Sequence, residues 1–91
     1  MYEIRRSTLF KRDVRRCRKQ NKPLDKFKDI HESLVKGIPL SPQNRDHQLS
    51  GTWSGYRECH IEPDWLLIYR INDKNNLIEY VRMGSHSDLF T

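Results

Sequence analysis

At 91 residues the chain is expected to be a single domain, 1–91. A chain this size buries only about 60–65% of the surface its unfolded form exposes, which excludes a large core. Hydrophobic residues make up 35% and charged residues 32%, so the chain is polar, but nine aromatics exclude a disordered polymer. The net charge of +5 is uneven: residues 1–28 hold eleven Lys/Arg against three acids, and residues 29–91 hold six against nine.

The basic surface therefore belongs to the N-terminal third, a footprint for phosphates or for an acidic protein partner. Cys17 and Cys59 show no metal-ligand spacing and no disulfide framework, so cytoplasmic residence is the expectation. No apolar run reaches the roughly 20 residues of a membrane-spanning helix, and the first residues lack the apolar core of a signal peptide.

In chain order, Tyr2 and Ile4 alternate with Glu3 and Arg5 and predict a short strand that joins a later sheet. Ser7 or Thr8 is placed to cap a helix in which Phe10, Val14 and Cys17 share one face, with Lys11, Arg12, Arg15, Arg18 and Lys19 mainly outside. Pro23 suits the start of a second helix. Leu24, Phe27, Ile30, His31 and Leu34 continue at helical spacing to Gly37, which can close the helix in a left-handed conformation. His31 falls on or beside the apolar face and reads as a boundary residue.

Pro39 and Pro42 introduce an extended loop, and Gly51 and Gly55 bracket a turn before a strand beginning near Tyr56. Alternation places Tyr56, Glu58 and His60 on one face and Arg57, Cys59 and Ile61 on the other. Glu62, Pro63 and Asp64 turn the chain into a central strand over residues 65–71. The run NDKNN reads as a hairpin turn, since Asn tolerates positive φ. Strict alternation in the last strand puts Ile78, Tyr80 and Arg82 on one face and Leu77, Glu79, Val81 and Met83 on the other. The tail after Gly84 is short enough to form one helical turn. The predicted class is α+β: an N-terminal strand, a helical hairpin, then a three- to four-stranded antiparallel sheet whose other face is free for a site.

Residues 45–69, RDHQLSGTWSGYRECHIEPDWLLIY, hold two of the four histidines and both tryptophans. Proton-transfer groups (His47, Glu58, His60 and Asp64) sit there among residues that favour burial. Together with RMGSHSDLF this run is similar to the YafQ branch of the RelE/ParE toxin superfamily, where D-H-x-L-x-G, a Y-R-x-x-H strand, a P-D-W/L turn and a terminal G-S/T-H-x-x-L-F recur. The match covers about residues 42–90, while the first half matches in plan and basic character only. Gln48 stands where that family often has proline.

The resemblance implies a bacterial type II toxin, a ribosome-dependent mRNA endoribonuclease inhibited by a co-expressed antitoxin. On it His47, His60, Asp64 and His86 match the catalytic constellation, Arg82 a transition-state arginine, and Phe90 a C-terminal aromatic important for activity. Trp65 and Glu58 are taken as further substrate-positioning residues, although both tryptophans also suit a core. The chemistry agrees: metal-free RNA cleavage needs a base for the 2′-OH, an acid for the leaving 5′ oxygen, and positive charge for the transition state. No cofactor and no metal are expected, because His47, His60, Asp64 and His86 lack a compact ligand motif. Arg70 has no motif match and is expected to matter less than Arg82.

The expected partners are an acidic, partly disordered and DNA-binding antitoxin, the ribosome, and mRNA, with no membrane. Arg12, Arg15, Arg16, Arg18, Lys19 and Lys22 are the candidate contacts to ribosomal RNA. The competing expectation is a non-catalytic binding toxin of the same fold, or an RNA-binding module.

Overall fold

The computed structural model describes residues 1–90. Strand β1 (Glu3–Arg6) is followed by helices α1 (Thr8–Lys19) and α2 (Leu24–Lys36). The chain continues through β2 (His47–Gln48), β3 (Arg57–Glu62), β4 (Trp65–Asn72) and β5 (Leu77–Gly84) to α3 (His86–Phe90). The strands form one sheet in the order β1-β5-β4-β3-β2. The last four are antiparallel, and β1 joins β5 in parallel. The expected plan is the observed one.

Local signals place the elements. Ser7 caps α1 by accepting the Phe10 N–H at 2.9 Å, and its hydroxyl donates to the Val81 carbonyl at 2.8 Å, so one side chain starts the helix and fastens it to β5. Gly37 ends α2 at φ 71°, with the Ile38 N–H reaching back to the Ser33 carbonyl at 2.9 Å. Asn76 takes φ 52° in the β4–β5 turn, as its residue type allows.

The helical hairpin covers one sheet face. Phe10, Cys17, Ile30 and Leu34 pack there against Cys59, Trp65, Leu67, Tyr69, Tyr80 and Met83. Each fully buried large side chain contributes about 1.5–3 kcal/mol. His31 lies at the edge of this core with Nδ1 2.7 Å from the Tyr80 hydroxyl, a boundary role as expected, and burial shifts its pKa down.

Two sequence expectations change. A bulge at Ile68/Tyr69 pairs Ile68 with Arg82 but Tyr69 with Tyr80, so Val81 is the extra residue and the faces of β5 exchange beyond it. Met83 therefore joins Tyr80 in the core, and Arg82 moves to the opposite face. That face is not bare either: Leu66, Ile68 and Leu89 form a second cluster with Leu49, Trp53, Tyr56 and Val81 around it.

The most consequential contact has an unforeseen centre, the buried carboxylate of Asp13. Pairing with β1 ends at Tyr80, and Asp13 then accepts the Met83 N–H at 3.0 Å. It also accepts Arg82 Nε at 2.7 Å and Arg16 Nη1 at 2.8 Å. Burial pushes the Asp13 carboxyl up, but the bonds from Arg82, Met83 and Arg16 outweigh it and hold the group below its ordinary 3.8.

Asp13→Asn is expected to lower unfolding stability by about 3 kcal/mol at neutral pH, measured by chemical denaturation. Because the native carboxyl is depressed, its contribution is present above the unfolded value near 3.8 and fades as pH falls through the lower native value. The gap between wild type and variant should therefore narrow below about pH 4. A gap that is constant with pH would contradict this role.

Candidate active site

Five polar side chains meet at the end of the sheet where β3, β4 and α3 converge. Glu58 and His60 project from the same face of β3, and β2 places His47 directly opposite Glu58. Asp64 occupies the β3–β4 turn, and His86 opens α3. The ring centroids of His47 and His60 lie 6.3 Å apart, and those of His60 and His86 5.8 Å apart, so His60 is central.

Each of the three histidines is held through Nδ1 by an acceptor. His47 Nδ1 is 2.6 Å from the Arg45 carbonyl, His60 Nδ1 is 3.2 Å from the Pro63 carbonyl, and His86 Nδ1 is 2.6 Å from Asp64 Oδ1. A carbonyl or carboxylate can only accept, so each Nδ1 carries the proton and Nε2 is the atom left for chemistry. The Nε2 atoms of His47 and His60 converge on Glu58 Oε1 at 3.7 and 3.3 Å, where the carboxylate is the acceptor for a proton that either nitrogen carries.

The surrounding chain explains these positions. Asp46 is clamped by Arg57 at 3.2 Å and by the Tyr69 hydroxyl, which fixes the backbone immediately before His47. Asn44 Nδ2 donates to the His60 carbonyl at 2.8 Å. Ser85 and Asp88 form a reciprocal cap, Ser85 N–H to Asp88 at 3.0 Å and Asp88 N–H to Ser85 Oγ at 3.1 Å, which starts α3 at His86. Leu89 anchors α3 in the second cluster, leaving Phe90 half exposed beside His86 with ring centroids 6.4 Å apart.

Asp64 accepts both the backbone N–H of His86, at 2.9 Å, and its ring N–H. These two bonds, the backbone one larger, hold its carboxyl below the ordinary 3.8. The carboxylate is thereby kept as an orienter of His86.

Three candidate residues take other places. Trp65 is fully buried in the helix-side core, so it packs and cannot stack on a base. Arg16 turns inward to Asp13 and donates to the Met83 carbonyl at 2.7 Å, so it is a structural cation rather than a free contact for RNA. Arg82 starts in the row of Glu58 and Ile68, yet its Nε and Nη2 are engaged by Asp13 at 2.7 and 3.1 Å. Glu58 gains importance, since it is buried between two histidines instead of lying at a substrate-facing rim.

Asp13, Asp46 and Asn44 were missed as positioning residues. Asp13 did leave a signal: it is an acid on the apolar face of a basic helix, between Phe10 and Cys17. Donor atoms of His47, Glu58 and His60 lie within 4.8 Å of one another, a two-histidine, one-carboxylate set that suits a transition metal. Their separation in sequence concealed it.

These features define a class: a small α+β domain with a histidine–carboxylate cluster on a partly open sheet face, arranged for acid–base chemistry. The model of a bacterial toxin of type II toxin-antitoxin systems, YafQ, matches residues 2–91. The mRNA interferase toxin YafQ of Escherichia coli K12 is 39% identical over 89 residues, 97% of this chain and 95% of that one. The toxin fold in the crystal structure of the E. coli DinJ-YafQ complex superposes with a TM-score of 0.91 at 38% identity, over 100% of both chains. A metal-bound toxin from Helicobacter pylori gives 0.93 at 38% identity, over 99% of this chain and 100% of that one. The chain belongs to the YafQ family of bacterial type II toxin-antitoxin toxins.

A carboxyl-resolved NMR titration should place Asp64 below 3.8. His86→Ala should return it only part of the way, because the backbone N–H of residue 86 remains. A full return, or none, would contradict the two-bond arrangement.

Proposed function

We propose that this protein is the toxin of a type II toxin-antitoxin pair and an endoribonuclease that cuts translated mRNA on the ribosome. The observation that carries this reading is the trio His47, His60 and His86, each fixed through Nδ1 with Nε2 left for proton transfer. A base removes the ribose 2′-OH proton, the 2′ oxygen attacks phosphorus, and an acid delivers a proton to the departing 5′ oxygen. His86 with Asp64 forms one arm, and His60 and His47 around Glu58 form the other. Such groups need no metal for the chemistry. Arg82, cationic at any working pH and with its side chain 21% exposed, is the proposed transition-state cation, with Asp13 fixing its Nε and Nη2 and offsetting part of its charge. Phe90, exposed beside His86, positions a base.

The E. coli relative is described in complex with DinJ, which supports a cognate antitoxin for this chain as well. An acidic, partly disordered and DNA-binding partner fits the basic first third, and a toxin acting on translated mRNA works in the cytoplasm. Arg12, Arg15, Arg18 and Lys19 are exposed on α1, with Lys22 beyond its end, and are the contacts proposed for ribosomal RNA. The H. pylori relative is described as metal-bound, and His47, Glu58 and His60 are the residues that would hold an ion here. An ion there would occupy the Nε2 lone pairs and so oppose proton transfer.

In a Mg²⁺-containing ribosome buffer, wild-type protein stripped of transition metals should cut translated mRNA at its full rate, and more slowly with added Zn²⁺. His86→Ala should fold and cut about a hundredfold more slowly or worse. If His86→Ala, His60→Ala and Asp64→Ala all fold and cut at the wild-type rate, a binding toxin or RNA-binding module becomes the better reading.

Ribosome affinity should fall steeply with salt, because each phosphate contact releases counterions. Neutralising Arg12, Arg15, Arg18 and Lys19 together should flatten that slope. An unchanged slope would mark α1 as a merely solvated face.

A further inference from the structure

The aromatic side chains of the site face form a connected line that extends past the histidines. From His86 it passes to Phe90, then to Trp53 at 6.3 Å between ring centroids, then to Tyr56 at 5.4 Å. It ends where the Arg70 guanidinium lies 5.3 Å over the Tyr56 ring. Tyr56 is four residues from His60 along the extended chain, about 13 Å away. The pairing of Arg57 with Tyr69 puts Arg70 on the neighbouring strand beside Tyr56.

Arg70 is a surface cation under two restraints. Glu79 bonds one of its nitrogens at 2.5 Å, and Tyr56 supports the guanidinium from below, while the side chain remains 44% exposed. An exposed ion pair by itself stabilises little and needs no fixed plane. A guanidinium braced at one edge and backed by a ring offers its outer surface to a planar partner, and nucleic-acid bases stack on such surfaces. Tyr56 also borders a groove of about 370 Å³, lined in addition by Gln48, Leu49, Gly55 and Arg57, which gives a base or ribose room beside the platform.

We propose that Arg70, held over the Tyr56 ring by Glu79, is a stacking platform for a base of single-stranded RNA beyond the nucleotides that flank the cut, with Phe90 and Trp53 guiding the strand between. This rests on the nuclease reading above. It also reverses the low weight that the absence of a motif assigned to Arg70.

The test uses ribosomes stalled on a defined mRNA, with toxin in excess, and reads the single-turnover cutting rate against toxin concentration. Arg70→Gln and Arg70→Lys should each raise the half-saturating concentration roughly tenfold, since a stacked base is lost, while the maximal rate stays near wild type. Arg70→Lys matters most: it keeps the charge beside Glu79 and loses the plane. Tyr56→Leu should behave like Arg70→Gln, and where it fails to fold the Arg70 variants decide. Lys36→Gln, an exposed cation on α2 away from the line, should change neither value.

Wild-type half-saturation in both Arg70 variants would overturn the platform while leaving the nuclease intact. A lowered maximal rate at unchanged half-saturation would overturn it too, by placing Arg70 in the chemistry. Failure of the wild type to cut would remove the nuclease reading, and the platform with it.

Discussion

Beyond Tyr80 the strand β5 keeps β4 on one edge but loses β1 from the other, where the Met83 N–H and carbonyl would face water or another chain. Asp13 and Arg16, one helical turn apart on α1, take those two groups. An open strand edge is thereby closed by side chains instead of by another strand. The arrangement fixes α1 in rotation as well as position, because the acid must lie on the inner face between Phe10 and Cys17. It also extends to the C-terminus: Arg16 lies 3.6 Å from Asp88, whose carboxylate helps to cap α3. Gly84 makes the approach possible, since a Cβ there would lie 2.5 Å from Arg16 Nη2 and 2.9 Å from the Asp88 Cβ. Thus the contact that closes the sheet edge also sets where His86 begins.

The site depends on the same kind of restraint at a smaller scale. A histidine on a flexible stem samples two tautomers and several ring orientations, and chemistry requires one. Here the backbone supplies the acceptors for His47 and His60, through the carbonyls of Arg45 and Pro63, and a carboxylate supplies the one for His86. The backbone acceptors lie in tight segments, one before the short strand β2 and one in the β3–β4 turn. Residues outside the histidine cluster, such as Asp46 and Asn44, therefore help decide where the imidazoles stand.

Much of this was legible in the chain. Helix faces followed from Phe10, Val14 and Cys17 and from Leu24, Phe27 and Ile30, and the turns from Gly37 and Asn76. Alternation correctly separated Glu58 and His60 from Cys59. It failed in β5, because one extra residue at Val81 reverses every later assignment and nothing in LIEYVRMG marks the bulge. Arg16 and Arg82 looked like free cations because their partner, Asp13, is near neither of them in an obvious motif, and a count of charges treats all arginines alike. The His47, Glu58 and His60 set was hidden for a related reason: an edge strand brings His47 back across β3, a relation set by pairing register and not by spacing along the chain.

Helix α1 shows how far one element can serve separate demands. Its inner stripe places Phe10 and Cys17 in the core and Asp13 at the strand edge, while Arg12, Arg15, Arg18 and Lys19 point outward. The inner acid is indispensable to that division. Without it, Arg16 would keep only Asp88, 3.6 Å away, and Arg82 would lose the carboxylate that holds its Nε and Nη2. With it, the inner arginines become structural, and the helix presents a positive outer surface without destabilising its own contact with the sheet. The charge asymmetry visible in the first 28 residues is therefore two populations of cation, and only the outer one is available to a partner.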